Sequence, residues 1–368
     1  MRRWLVWVLC LLAGVASAAR RPSMGGFVVI GVDEPLVTCD PARAFTLADW
    51  QAIALVHRGL FRFDDAGVPR PSLVAVESQD AGKLVVRLRA ASFHDGHLLT
   101  TNEVIRSLQK GAPEVRVRQL DAARLELRAE GTPADRLAMT LAGVPITRTG
   151  APEVGLGPFR VASRRRGRLE LQRHTADLDG VPWLEGITLV EGAPADADVV
   201  LGASDPRPLM VRLDAVVAES AGLLVRPGVR RPAAAARAFP TDALARRLAG
   251  LVPTERLVPG DASLYLGVPE WYFAAVRTAL AASPWPLEPL DRVRLEGLDA
   301  RTLAEPEAVF VVLPPALVPR RVAERGGWEW YPLATRRRPI LVAARIVGAW
   351  LTPLGTLDLG DAFLSASR

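Results

Sequence analysis

Apolar and polar positions alternate along the chain in a way that predicts strands and helices by turns. Phe27-Val28-Val29-Ile30 is an unbroken apolar run, as expected of a strand buried on both faces. Leu47, Trp50, Ile53, Ala54 and His57 recur at helical spacing, and Thr46 with Asp49 supplies a start resembling a capping box. Asp64-Asp65-Ala66-Gly67 reads as a turn, and Leu84, Val86 and Leu88 share one face of a strand over 83–89. Thr100 with Glu103 is a second capping-box pattern, opening a helix that runs to about Lys110. Strands are expected near 114–118, 124–128, 159–163, 168–173 and 197–201, with a helix near 133–141. Further on, Arg230 to Pro240 is rich in Arg, Ala and Pro and reads as a linker or surface loop. Helices near 241–249 (Thr241 as N-cap) and 270–282 follow, then strands near 292–298, 308–313 and 339–344. The alternation argues for a mixed α/β architecture without internal repeats.

The first residues carry an address. Arg2 and Arg3 precede a short apolar run from Trp4 to Val15, and Ala16-Ser17-Ala18 has the small-residue pattern of a cleavage site. This reads as a secretory signal peptide over 1–18, the run being too short for a spanning helix. Leu11-Leu12 continue the apolar run past Cys10, which places that cysteine inside the signal rather than at a lipidation site. An exported, periplasmic or extracytoplasmic protein is expected. With Cys10 removed, Cys39 is the only cysteine left, so no intramolecular disulfide can form.

The chain has 368 residues and a formal charge of +6. Runs such as Arg164-Arg165-Arg166 and Arg336-Arg337-Arg338 would suit a nucleic-acid surface, but Lys83 and Lys110 are the only lysines. Such a bias follows from an Arg-, Ala- and Pro-rich coding sequence, and with export it argues against a nucleic-acid partner.

An ordered series of fragments then points to a family. Cys39-Asp40-Pro41, Arg58-Gly59-Leu60-Phe61, Pro71-Ser72-Leu73-Val74-Ala75, Val85-Val86-Arg87-Leu88-Arg89, Phe93-His94-Asp95-Gly96 and Thr101-Asn102-Glu103-Val104 occur in an order that resembles the N-terminal lobe of the family 5 extracytoplasmic solute-binding proteins. Gly155-Leu156-Gly157-Pro158-Phe159 resembles that family's glycine turn, where glycine would serve a positive φ. Ala197 to Val200 resembles the strand closing the first lobe, and Tyr331-Pro332-Leu333 with Ile340 to Gly348 resembles the returning C-terminal segment. The resemblance covers 27–202 and 331–368. It implies an α/β, two-lobed periplasmic-binding-protein-like fold of type II. The first lobe would be discontinuous, 19–205 and 331–368, and the second reduced to 206–330. Arg237 to Leu248 resembles the family's arginine- and alanine-rich helix, while the aspartate segment that meets a peptide's amino group has no counterpart.

The function implied is capture of a solute, a short peptide above all, for an ABC permease, with no cofactor. The absent aspartate segment leaves a second reading open, a degenerate relative acting as a non-transport envelope interaction protein. An enzyme is not expected. There is no G-x-S-x-G, phosphate-binding glycine loop or H-E-x-x-H, and Ser107-Leu108-Gln109-Lys110 matches S-x-x-K without its companion elements. His94-Asp95-Gly96-His97 offers too few local ligands for a metal and suits a turn. Candidate ligand contacts are Asp33 and Glu34 at the end of the first strand, which would equally suit a solvated acidic loop. Trp271, Tyr272, Trp328 and Trp330 are the aromatic candidates, although aromatics in a lobe this small more often form core.

Overall fold

The computed structural model describes residues 24–36, 38–80, 82–192, 194–201, 210–248, 251–253, 264–281, 285–290, 306–313 and 327–365. The expected signal peptide and the strand expected near 292–298 lie outside the described residues. Among those described, no helix is long and apolar enough to cross a membrane.

In chain order the elements begin with β1 (Phe27–Val32), α1 (Leu47–Val56), β2 (Phe61–Phe63), β3 (Pro69–Pro71), β4 (Val74–Asp80) and β5 (Lys83–Leu88). They continue with α2 (Thr101–Gly111), β6 (Arg116–Gln119), β7 (Arg124–Arg128), α3 (Ala134–Ala142), β8 (Phe159–Arg165), β9 (Arg168–Arg173), β10 (Gly186–Glu191) and β11 (Val199–Leu201). Then come β12 (Met210–Val225), α4 (Pro232–Ala238), α5 (Thr241–Ala245), β13 (Leu251–Pro253), β14 (Leu266–Pro269), α6 (Glu270–Ala279), β15 (Leu287–Leu290), β16 (Ala308–Leu313) and β17 (Glu329–Ala343). Four two-residue strands close the chain: β18 (Ile346–Val347), β19 (Trp350–Leu351), β20 (Leu357–Asp358) and β21 (Phe363–Leu364).

The local signals form as read. Asp49 donates its backbone N–H to the Thr46 hydroxyl at 3.0 Å, capping α1. Thr100 and Glu103 close the reciprocal box at the start of α2. Val28 and Ile30 are buried, as β1 lies between parallel β10 and β11.

One continuous sheet, ordered β15-β14-β16-β12-β17-β11-β1-β10-β9-β8 with β13 against β17, runs through both halves of the molecule. The first half buries a core on β1, β10, β11 and α1, and carries a small sheet, β4-β5-β7-β6, packed on α2 and α3. The second half has its own core under α4, α5 and α6. What joins them is the β12–β17 pair. β12 pairs with β17 along its length (Met210↔Ala343 to Val225↔Glu329), while on the other edge of β17 its C-terminal part pairs with β11 (Val200↔Leu341) and its middle with β13 (Leu251↔Arg336).

β12 has no clear signature in the sequence, and its ladder breaks twice. Pairing shifts between Arg212 and Val216 and again between Ala221 and Gly222. The first leaves two extra residues on β12 and the second one extra residue on β17, and residues 221–225 are buried on both faces, so no period of two shows there. Arg230 to Pro240 is not the loop expected. Pro232 takes the first helical position and the alanines of α4 follow it, a combination that favours helix once Ala235 is buried. The helix expected over 241–249 is shorter, and its N-cap is Pro240 rather than Thr241.

The glycine turn is structural for a different reason from the one expected. Gly157 lies outside the positive-φ region, and it donates its N–H to Val56 O at the end of α1. A Cβ there would stand 2.6 Å from Leu55 O, and one on Gly155 would stand 1.8 Å from Val56 O. Close backbone approach therefore excludes a side chain at both positions. Gly157→Ala is expected to cost about 1–3 kcal/mol in denaturant unfolding, and Gly155→Ala more. Unchanged midpoints for both would show that the turn yields freely.

Candidate functional site

β1 ends in parallel pairing, and open α/β sheets gather ligands at the carboxyl ends of such strands. Asp33 and Glu34 stand there, facing the joining strands. Glu34 is buried. Its Oε2 accepts the N–H of Leu47 at 2.9 Å, placing a carboxylate on the N-terminus of α1. Its Oε1 accepts the Tyr272 hydroxyl from α6 in the second half, and lies 3.4 Å from Arg338 Nη2. Arg338, on β17, is 2% exposed; it donates to Asp33 Oδ1 and, at 2.8 Å, to Glu219 Oε1 on β12. Arg336 joins at 3.7 Å from Glu219 and 3.8 Å from Asp33. Alternation along β17 turns Arg336 and Arg338 inward and leaves Arg337 exposed.

Burial and charge set the protonation of this cluster. Removal from water pushes Glu219 up to about 7; Glu34 adds to the rise, and Arg338 and Arg336 oppose it. Burial, with Glu34 and Glu219 nearby, carries the Tyr272 hydroxyl well above the usual tyrosine range, so it stays a donor. For Arg338 burial works against the charge, but Glu34, Glu219 and Asp33 more than restore it.

Beside the ionic cluster runs an apolar seam. Ala44, Phe45, Trp50 and Ile53 from the first half meet Leu224, Val309, Val311, Leu313 and Trp328 from the second. Trp328 is 1% exposed, and its Nε1–H has no acceptor among the described residues. Trp330 is half-buried and lies over Gly222, where a Cβ would be 2.6 Å from the ring. The side chain of Trp271 lies outside the described residues.

The candidate positions thus gather partly. Asp33, Glu34 and Tyr272 meet in the ionic cluster, and Trp328 and Trp330 in the seam beside it. Sequence reading passed over Glu219, Arg336 and Arg338. Two arginines two residues apart in a strand share a face, and Glu219 is the one charge in Val216-Val217-Ala218-Glu219-Ser220-Ala221-Gly222. Either signal would have marked them.

The other motifs disperse. His94 Nε2 bonds Gly157 O at 2.9 Å, its ring meets His174 edge-on, and burial drives its pKa down to about 4. Asp95 pairs with Arg148 at 2.6 Å and His97 with Glu103 at 3.0 Å, so the three potential ligands diverge. Ser107 Oγ accepts the Thr147 N–H at 3.0 Å and is buried by that contact.

Two α/β halves joined by long strands, with charged and aromatic side chains converging on the seam between them, define a two-lobed periplasmic binding-protein fold. No protein-family model matches the sequence, and no curated protein matches it. Solved structures share the fold. The chain is similar to the oligopeptide-binding protein AppA from Bacillus subtilis in complex with a nonapeptide, at 11% identity and TM-score 0.68 over 94% of this chain and 100% of that one. It is similar to the Escherichia coli murein tripeptide binding protein MppA, at 12% identity and TM-score 0.66 over 94% and 100%. NikA from Staphylococcus aureus in complex with Ni(L-His)2 matches at 10% identity and TM-score 0.62 over 92% and 100%.

Removing one partner of a buried ion cluster strands the rest. Arg338→Met is expected to destabilise by about 3–5 kcal/mol in denaturant unfolding, whereas a combined Arg338→Met, Glu219→Gln variant should recover part of that loss. No recovery would show that Glu219 is not compensated by Arg338. The pH dependence has a definite sign. A carboxyl whose folded pKa is raised contributes stability below its unfolded pKa, near 4.5, and loses it as pH rises through about 7. Wild type should therefore lose stability relative to Glu219→Gln between pH 5 and 8. A constant difference would contradict this.

Proposed function

We propose that the protein is an extracytoplasmic solute-binding protein of family 5 type. It would capture a short peptide between its lobes and present it to the permease of an ABC importer. The observation that carries the reading is the interlobe cluster, where Asp33, Glu34 and Glu219 face Arg336 and Arg338 beside an aromatic seam. A peptide is a zwitterion with apolar side chains. Its ammonium complements the carboxylates, its carboxylate complements the arginines, and its side chains suit Trp328 and Trp330. Resemblance to oligopeptide- and tripeptide-binding structures supports the same class. Export through the N-terminal segment would place the protein where such a permease is reached.

In the structure the protein's own side chains fill the seam, so a ligand must bind the opened form better than the closed one to shift the population. A weak apparent affinity follows if opening is costly. Mixed di- to pentapeptides should raise the melting temperature and change the tryptophan fluorescence. Linkage gives roughly 2.7 kcal/mol of stabilisation at a hundredfold excess over Kd. Trp330→Ala, at a half-buried position, should weaken the response with little loss of fold. Absence of any response to peptides would overturn the transport reading.

A further inference from the structure

A cavity of about 110 Å³ lies away from the ionic cluster, between α1, β2 and the β19–β20 hairpin. Trp50, Ile53, Phe61 and Leu354 form apolar walls, and Arg62 and Asp358 also line it. An engineered apolar cavity of roughly 150 Å³ takes up benzene, so this space suits a branched aliphatic side chain. Its polar groups have spare capacity. Asp358 Oδ1 accepts the Gly360 N–H at 2.8 Å, and no donor among the described residues reaches Oδ2. The Arg62 side chain is 41% exposed and, among the described residues, makes loose ion pairs, 3.5 Å to Asp361 and 3.8 Å to Asp179. An anion and a cation with open hydrogen-bonding positions, on one cavity with apolar walls and, among the described residues, not paired with each other, complement a small zwitterion.

We propose that this cavity is a second small-molecule site, taking a free apolar α-amino acid with its ammonium on Asp358, its carboxylate on Arg62 and its side chain against Trp50, Ile53 and Phe61. Burial raises the pKa of the Asp358 carboxyl, and Asp361 adds to the rise while Arg62 and Arg58 oppose it. A bound ammonium would offset that cost of burial. Trp50, Ile53 and Leu354 also belong to the seam against the second lobe, so filling the cavity would stiffen the wall on which the lobes meet.

Calorimetric titration of the purified full chain with L-leucine tests this, with L-leucinamide and 4-methylvalerate as analogues lacking one charge each. Leucine should bind and both analogues should bind at least about tenfold more weakly. Asp358→Asn and Arg62→Gln should each weaken leucine binding to a similar degree, and Ala54→Leu, which fills the cavity, should abolish it. Near-UV circular dichroism checks the fold of each variant; if Ala54→Leu fails that check, Arg62→Gln at its exposed position carries the test. No heat with leucine, or leucine binding unaffected by every folded variant, overturns the proposal. Peptide titration of the same preparation keeps the two sites apart. A peptide response without leucine binding overturns only this site, and leucine binding without a peptide response overturns only the transport reading.

Discussion

A guanidinium buried at the crossing of two lobes is the constraint on which the rest of the structure depends. Arg338 is removed from water, a state that costs several kcal/mol for an uncompensated ion. Its compensation comes from three parts of the chain at once: Asp33 and Glu34 after β1, Glu219 on β12, and through Glu34 the hydroxyl of Tyr272 on α6. No single lobe holds all of these groups. The charge is satisfied only when the lobes stand as they do, so the cluster specifies their relation more than it adds to net stability.

The long strands make that placement possible. β17 pairs with β12 along its length, with β11 over 340–342 and with β13 over 334–336, carrying Arg336 and Arg338 to the seam as part of a rigid ladder. The breaks in the β12–β17 register fall on either side of Glu219, allowing strands of this length to twist between the two sheets. α1 couples the two sides of the seam. Its N-terminus holds Glu34 through Leu47, and one turn later Trp50 meets the second lobe. A ligand entering between the lobes therefore disturbs ionic and apolar contacts together, and must replace both.

What the sequence made legible follows the range of the interactions. The caps at Thr46 and Thr100 are short-range and were readable, as was β1, whose burial on both faces shows as an unbroken apolar run. The ordered fragments of the first lobe predicted the two-lobed fold. β12 shows no period of two because its residues 221–225 are buried on both faces, and in α4 proline and arginine mask a run of alanines. In the site, Asp33, Glu34 and Tyr272 were named without their partners. Arg336 and Arg338 show in the sequence as part of an arginine run, since pairing over more than a hundred residues, as with Glu219, leaves no local trace. Gly157 was recognised as structural, but its reason is the backbone of α1 passing close by, which only the packing reveals.

The central claim is that the Arg338 cluster fixes the lobes against each other, and a distance across the seam tests it most directly. Spin labels at Val181→Cys in the first lobe and Thr278→Cys in the second sit at exposed positions, while the native Cys39 is buried. Double electron–electron resonance on this pair should give one narrow distribution in the otherwise wild-type protein, and a longer, broader one in Arg338→Met under conditions where both lobes remain folded. Superimposable distributions would contradict the account, since the lobes would then be held without the charge at their crossing.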